Sequence, residues 1–186
     1  LARNENQDYI HYRKGSLVMY ALQDYIGEET LNRAIRRFRD ATAFKGPPYP
    51  NATLFLQYVR EVTPPHLQYL IEDLFESITL YDNRAVSAKA KSLPDGRYEV
   101  TFNVVAKKRK ADALGKEGDA PLADWIDIGV QDADNQPLFL EKRKIEREET
   151  EFTVVVDKKP ARAGIDPYNK LIDRVPKDNT MAVEIE

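Results

Sequence analysis

Leu74-Phe75-Glu76-Ser77-Ile78-Thr79-Leu80-Tyr81-Asp82-Asn83 is the stretch in which the hydrophobic period of this chain changes. Up to it, Leu67, Leu70, Ile71, Leu74, Phe75 and Ile78 recur every three or four residues, the spacing that lines one face of an α-helix. Beyond it, Val86, Ala88 and Ala90 alternate with Ser87, Lys89 and Lys91, the period-two pattern of a half-buried strand. A boundary at residues 79–82 therefore separates a helical segment, 1–79, from a strand-rich segment, 80–186. The predicted class is α+β by segments: an antiparallel helical bundle followed by a β-sandwich of immunoglobulin-like type.

Upstream of the switch, Val18, Ala21, Leu22, Tyr25 and Ile26 form the apolar stripe of a first helix, which Gly27 ends at the position favouring a left-handed residue. Glu28, Glu29 and Thr30 open a second helix with the core stripe Leu31, Ala34, Ile35 and Phe38. Its Arg36, Arg37 and Arg39 read as a solvated face rather than an anion site. The breaker run from Phe44 to Pro50 forces a loop, and Asn51 or Thr53 caps a third helix carrying Leu54, Phe55, Tyr58, Val59 and Val62. Pro64-Pro65 restarts the chain into the fourth.

Downstream, Pro94-Asp95-Gly96 predicts a hairpin turn before Tyr98, Val100, Phe102 and Val104. Residues 107–110, Lys-Lys-Arg-Lys, read as a strand end running into a hairpin tip. Ile126, Ile128 and Val130 share a strand face, and residues 132–135 read as a turn rather than a calcium loop, since the central glycine and terminal glutamate of such loops are missing. Leu138 to Leu140, then Phe152, Val154 and Val156, mark two more strands. Asp166-Pro167 reads as a turn, Leu171-Ile172 as cover for a core edge, and Met181, Val183 and Ile185 as a terminal strand.

The chain has 186 residues, a formal charge of −3, no cysteine and two histidines. The charge argues against nucleic acid as a partner. The missing cysteine excludes disulfides and thiol catalysis. No run approaches the roughly 18 apolar residues of a membrane span, so the segment is expected to be soluble and not membrane-inserted.

The catalytic candidate lies just before the first helix, at Tyr12-Arg13-Lys14-Gly15, with Tyr9 as a second tyrosine three residues earlier. Tyr12-x-Lys14-Gly15, followed by an apolar helix ending in Gly27, resembles the tyrosine segment of the zinc aminopeptidases related to membrane alanyl aminopeptidase and leukotriene hydrolase. That family usually has Glu where this chain has Arg13. The segments 74–83 and 165–174 are similar to the end of a bacterial branch in which the peptidase follows permease-like membrane segments.

The resemblance implies that the helices close the back of a catalytic domain. It also implies that Tyr12 donates a hydrogen bond to the tetrahedral intermediate, and that zinc is the parent protein's cofactor. A His-Glu-x-x-His zinc helix needs histidines four apart, whereas these stand at 11 and 66. The chain is thus expected to be the C-terminal piece of a longer, cell-membrane-associated bacterial enzyme. It would partner the rest of the catalytic domain and, in the parent, a peptide substrate; it would hold no metal and be inactive alone. The contrasting expectation is a non-catalytic interaction or scaffold module of a pseudo-peptidase.

Overall fold

The computed structural model describes residues 9–186. These form four α-helices and two β-sheets, and the chain divides into two compact units between Thr79 and Leu80.

In the first unit a π-helical turn, Tyr9–Lys14, leads directly into α1, Gly15–Ile26. Val18, Ala21 and Leu22 are buried. Gly27, at φ 86°, ends α1 by donating its N–H to the Gln23 carbonyl at 2.9 Å and at once begins α2, Glu28–Thr42. Only a residue without Cβ takes that φ at low cost, so one glycine serves as the whole connection. Leu31 and Ala34 of α2 are buried, whereas Ile35, expected in the core, is 37% exposed. Phe38 meets Phe55 and Tyr58 edge-on, at ring-centroid distances of 5.4 and 5.8 Å. These two rings belong to α3, Ala52–Val62, and Asn51 caps that helix by accepting the Leu54 N–H. Leu56, absent from the expected stripe, is among its buried residues.

The fourth helical segment is not one regular helix. A 3₁₀ turn, Pro65–Leu67, passes into α4, Gln68–Ile71, and then into a π-helical turn, Glu72–Glu76. Ser77 closes it by donating its N–H to the Glu72 carbonyl at 2.8 Å and turns extended. That turn is why Ile78 leaves the predicted stripe: it opens the first strand and is 48% exposed.

In the second unit, one sheet holds β1 (Ile78–Ser92), β2 (Tyr98–Ala111), β3 (Glu117–Ala120), β6 (Glu149–Val156) and β9 (Glu184–Ile185). The other runs in the order β5-β4-β7-β8, with β4 at Asp124–Gln131, β5 at Pro137–Ile145, β7 at Arg162–Ile165 and β8 at Thr180–Ala182. The hairpin between β1 and β2 turns at Gly96, φ 85°, as Pro94-Asp95-Gly96 predicts. β6 pairs with β2 from Tyr98 to Val105, and β3 pairs with it from Lys108 to Ala111. Val100, Phe102 and Val104 from the first sheet and Ile126, Ile128, Val130 and Ile165 from the second belong to a single apolar cluster.

Three expectations are corrected here. Val86 is 54% exposed, because the buried face of β1 changes phase between Ala85 and Ala88. The expected terminal strand is two short ones: β8 pairs antiparallel with β7, and after Val183 the chain crosses to pair β9 parallel with β1. The segment between β7 and β8 does more than cover an edge. Pro167 lies over Gly129, and the Asn179 carbonyl lies over Gly164. Tyr81 donates its N–H to the Ile172 carbonyl, and Leu171 joins the core.

Candidate functional site

Tyr12 is 72% exposed and sits in the π-helical turn, one residue before the Arg13 that the resembled family replaces by Glu. Such turns close each hydrogen bond over one more residue than an α-helix does and are frequent at functional sites. The side chain of Tyr9, the second candidate, lies outside the described residues. Neither a side-chain cap nor an acidic first turn begins α1. Instead Ser16 Oγ donates to the Arg13 carbonyl at 3.0 Å.

Lys14 turns the other way. Its half-buried ammonium donates to the Ser77 carbonyl at 3.4 Å, and burial pulls its pKa below the ordinary lysine value. Ser77 is held in turn: its hydroxyl lies 2.8 Å from that of Thr79, and Thr79 Oγ1 donates to Asp73 Oδ1 at 3.2 Å. On α1 itself Leu17 and Tyr20 are 45% and 48% exposed, so the helix carries apolar side chains on two faces. The arrangement can offer a phenolic O–H to a developing anion from an anchored turn.

Among the described residues no group of three His, Cys, Asp or Glu side chains could hold an ion. His66 is exposed in the 3₁₀ turn, 55 positions from His11. The described residues therefore do not fit a catalytic zinc. In the turn at 132–135, Asp132 Oδ1 accepts the N–H groups of Asp134 and Gln136, so this carboxylate is committed to backbone. Arg37 pairs with Glu61 at 2.6 Å and stands over the Tyr58 ring, while Arg39 pairs with Asp40.

The basic run at 107–110 is the end of β2 and leads into the turn at 112–116, as its reading as a strand end before a hairpin tip expects. Lys107 pairs with Glu148 and Arg109 with Glu117. Lys108 points inward, 7% exposed, and meets the Asp124 carboxylate at 3.0 and 3.1 Å, which also accepts the Tyr81 hydroxyl at 2.7 Å. A second buried group joins Lys170 and Lys142 to Asp127 at 2.6 and 2.9 Å. Beside it, burial pushes Asp166 up to about 7, against the pull of N–H donors from Leu171 and Lys170. The signal for Lys108 was present in the sequence: it continues the parity of Val100, Phe102, Val104 and Ala106, all inward. These charges tie strands together and do not form an open site.

No known family model matches the chain, and a search of curated proteins finds no match. Among the described residues no helix is long and apolar enough to cross a membrane.

Proposed function

We propose that this chain is the C-terminal portion of a zinc aminopeptidase of the membrane alanyl aminopeptidase and leukotriene hydrolase family, in the bacterial permease-fused branch. In this reading the helical unit is the antiparallel bundle that ends the catalytic domain, and the two sheets form an immunoglobulin-like sandwich. The observation that carries the reading is the exposure of the Tyr12 ring, at 72%, on a turn joined without a break to a packed helix. A buried phenol could not reach a substrate bound by another part of the protein.

Zinc and the general base would come from a preceding part of the longer polypeptide, because the described residues offer no site for the ion. Zinc held there would lower the pKa of bound water and polarise the peptide carbonyl. Tyr12 supplies a separate element. Its hydroxyl donates to the oxygen that gains negative charge as the carbonyl becomes tetrahedral, and withdraws that bond as the carbonyl re-forms. A preorganised donor of this kind is worth about 3–4 kcal/mol, or 10²–10³-fold in kcat.

The test is Tyr12→Phe in the zinc-bearing, full-length polypeptide. Turnover of an alanyl or leucyl amide should fall about 10²-fold with KM within about twofold. Unchanged turnover removes Tyr12 from the mechanism. The chain of 186 residues alone should hydrolyse neither amide, with or without added zinc, and zinc-stimulated hydrolysis would overturn the division of labour proposed here. The exposed Leu17 and Tyr20 of α1 favour a second reading, a protein-interaction module with no chemistry. An upstream sequence without His-Glu-x-x-His would decide for it.

A further inference from the structure

We propose that Lys14 is the positioning residue for Tyr12, clamping the π-helical turn onto the Ser77 carbonyl at the end of the fourth helical segment. This rests on the reading of Tyr12 as the oxyanion donor.

A π-helical turn at the start of a helix has little local support, since its widened ring pays for one hydrogen bond with an additional ordered residue. Here neither the cap nor the first turn of α1 adds any acidic or side-chain capping contact. Among the described residues the turn has one local side-chain bond, from Ser16 Oγ to the Arg13 carbonyl, and Lys14 adds one from a distant part of the sequence. Tyr12 and Arg13 face solvent, and Lys14 is the member of the trio that turns inward. Its reach spans 63 positions of sequence, so the bond is a tertiary one.

The choice of residue is informative. Desolvating an ammonium is costly, and among the described residues this one meets a carbonyl and no carboxylate. Methionine would cover the same surface without that cost. What the ammonium adds is a directed contact with a carbonyl, long at 3.4 Å, that an apolar side chain could not make. Its acceptor is itself immobile: Ser77 donates both its N–H and its hydroxyl to the Glu72 carbonyl, at 2.8 and 3.1 Å, and its hydroxyl also contacts Thr79. Thr79 leans on Asp73, which is 4% exposed. The clamp thus fixes the turn to a rigid post, and with it the origin of the Tyr12 side chain two residues away. An error of about 1 Å in such an origin can cost on the order of 10²-fold in rate.

The experiment compares Lys14→Met and Lys14→Arg with the natural chain by amide hydrogen exchange. In Lys14→Met the amides of Tyr12, Arg13 and Lys14 should exchange about tenfold faster, while those of Val59 and Ile71 in the interior keep their protection. Lys14→Arg, which retains the charged donor, should restore most of the difference. Equal exchange at Tyr12 in all three proteins overturns the clamp. Loss of protection at Val59 and Ile71 as well makes Lys14 a general stability residue and also overturns it. In the zinc-bearing full-length polypeptide, Lys14→Met should lower kcat about tenfold with KM within about twofold, and Lys14→Arg should recover part of it. A natural full-length protein that hydrolyses no amide defeats the peptidase reading, and the exchange result then still decides the clamp.

Discussion

Gly164→Ala should unfold the strand-rich unit more readily than any other glycine-to-alanine change in it. A Cβ built on Gly164 would stand 2.0 Å from the Asn179 carbonyl oxygen, 2.8 Å from Thr180 Cα and 3.0 Å from the Asn179 carbonyl carbon. All three are backbone atoms, so no side chain can swing aside. Ordinary carbon–oxygen contact requires more than 1 Å of further separation, which the β7–β8 pairing forbids. That pairing sets Gly164 opposite Thr180, and the Ile165 N–H donates to Asn179 at 2.9 Å. Overpacking of this kind costs about 1–3 kcal/mol, and each ladder bond it breaks adds about 1 kcal/mol. We expect a total loss of about 3–5 kcal/mol. Gly129→Ala meets Pro167 Cγ at 2.8 Å, a side-chain atom on a loop, and should lose less; Gly118→Ala meets nothing within 4 Å and should change little. Urea unfolding followed by the fluorescence of Trp125 is the assay, because the chain has one tryptophan and it lies in β4. A loss below about 1 kcal/mol for Gly164→Ala, or a loss equal to that of Gly118→Ala, would refute the packing argument.

Two further predictions concern buried charge. Asp124→Leu strands the Lys108 ammonium and the Tyr81 hydroxyl in the interior, and should cost about 3–5 kcal/mol in the same urea assay; the double variant Lys108→Met with Asp124→Leu should recover much of that, and a double variant as unstable as the single would show that the pair itself holds the sheets. Asp166 concerns pH. Its pKa rises from 3.8 to about 7 on folding, chiefly through burial, so the folded chain holds this proton more tightly than the unfolded one. The stabilisation is complete below about pH 4 and is lost as pH rises through 7. The difference in unfolding free energy between the natural chain and Asp166→Asn should therefore shrink from pH 5 to pH 8, and a constant difference across that range would mean the carboxyl stays ionised.

The parts of the fold legible in the sequence are those decided by neighbours along the chain. Gly27 announced the end of α1 because a left-handed stop needs a residue without Cβ, and it takes φ 86°. Asn51 and the turn at 94–96 follow the same local rules. The change of period located the start of β1, although the last helical stripe ran two residues too far because a π-helical turn shifts the spacing by one residue and breaks the three-to-four count. Non-local features were not legible. Nothing near Val183 says that the chain changes sheets there, since β8 and β9 are chosen by their partners β7 and β1. Asp166, Lys170 and Asn179 look like surface loop chemistry, yet they are 1%, 5% and 1% exposed. Their burial is earned by hydrogen bonds to residues far away in sequence, such as Lys170 to Asp127. Tyr12 was placed beside a helix start by its neighbours, but the π-helical turn that carries it has no period of its own to read.

The polar groups of the two units differ in their burial. In the strand-rich unit, Lys108, Asp124, Lys170 and Asp127 are nearly sealed from water and bond one another. Buried pairs of this kind have no donor or acceptor to spare for a ligand. At the start of α1 the order is reversed: the lysine is turned in and the phenol is turned out. The exposure of Tyr12 has a further consequence. A phenolic hydrogen bond made in water exchanges one partner for another and contributes only about 1 kcal/mol, whereas the same donor in a dry, fixed site contributes several. Tyr12 at 72% exposure cannot supply that larger stabilisation by itself. Under the proposed peptidase reading, reaching a substrate and excluding water from around it are thus one requirement, met only when a second surface closes over the ring. The apolar side chains of Leu17 and Tyr20, exposed on the helix that follows, are suited to rest against such a surface.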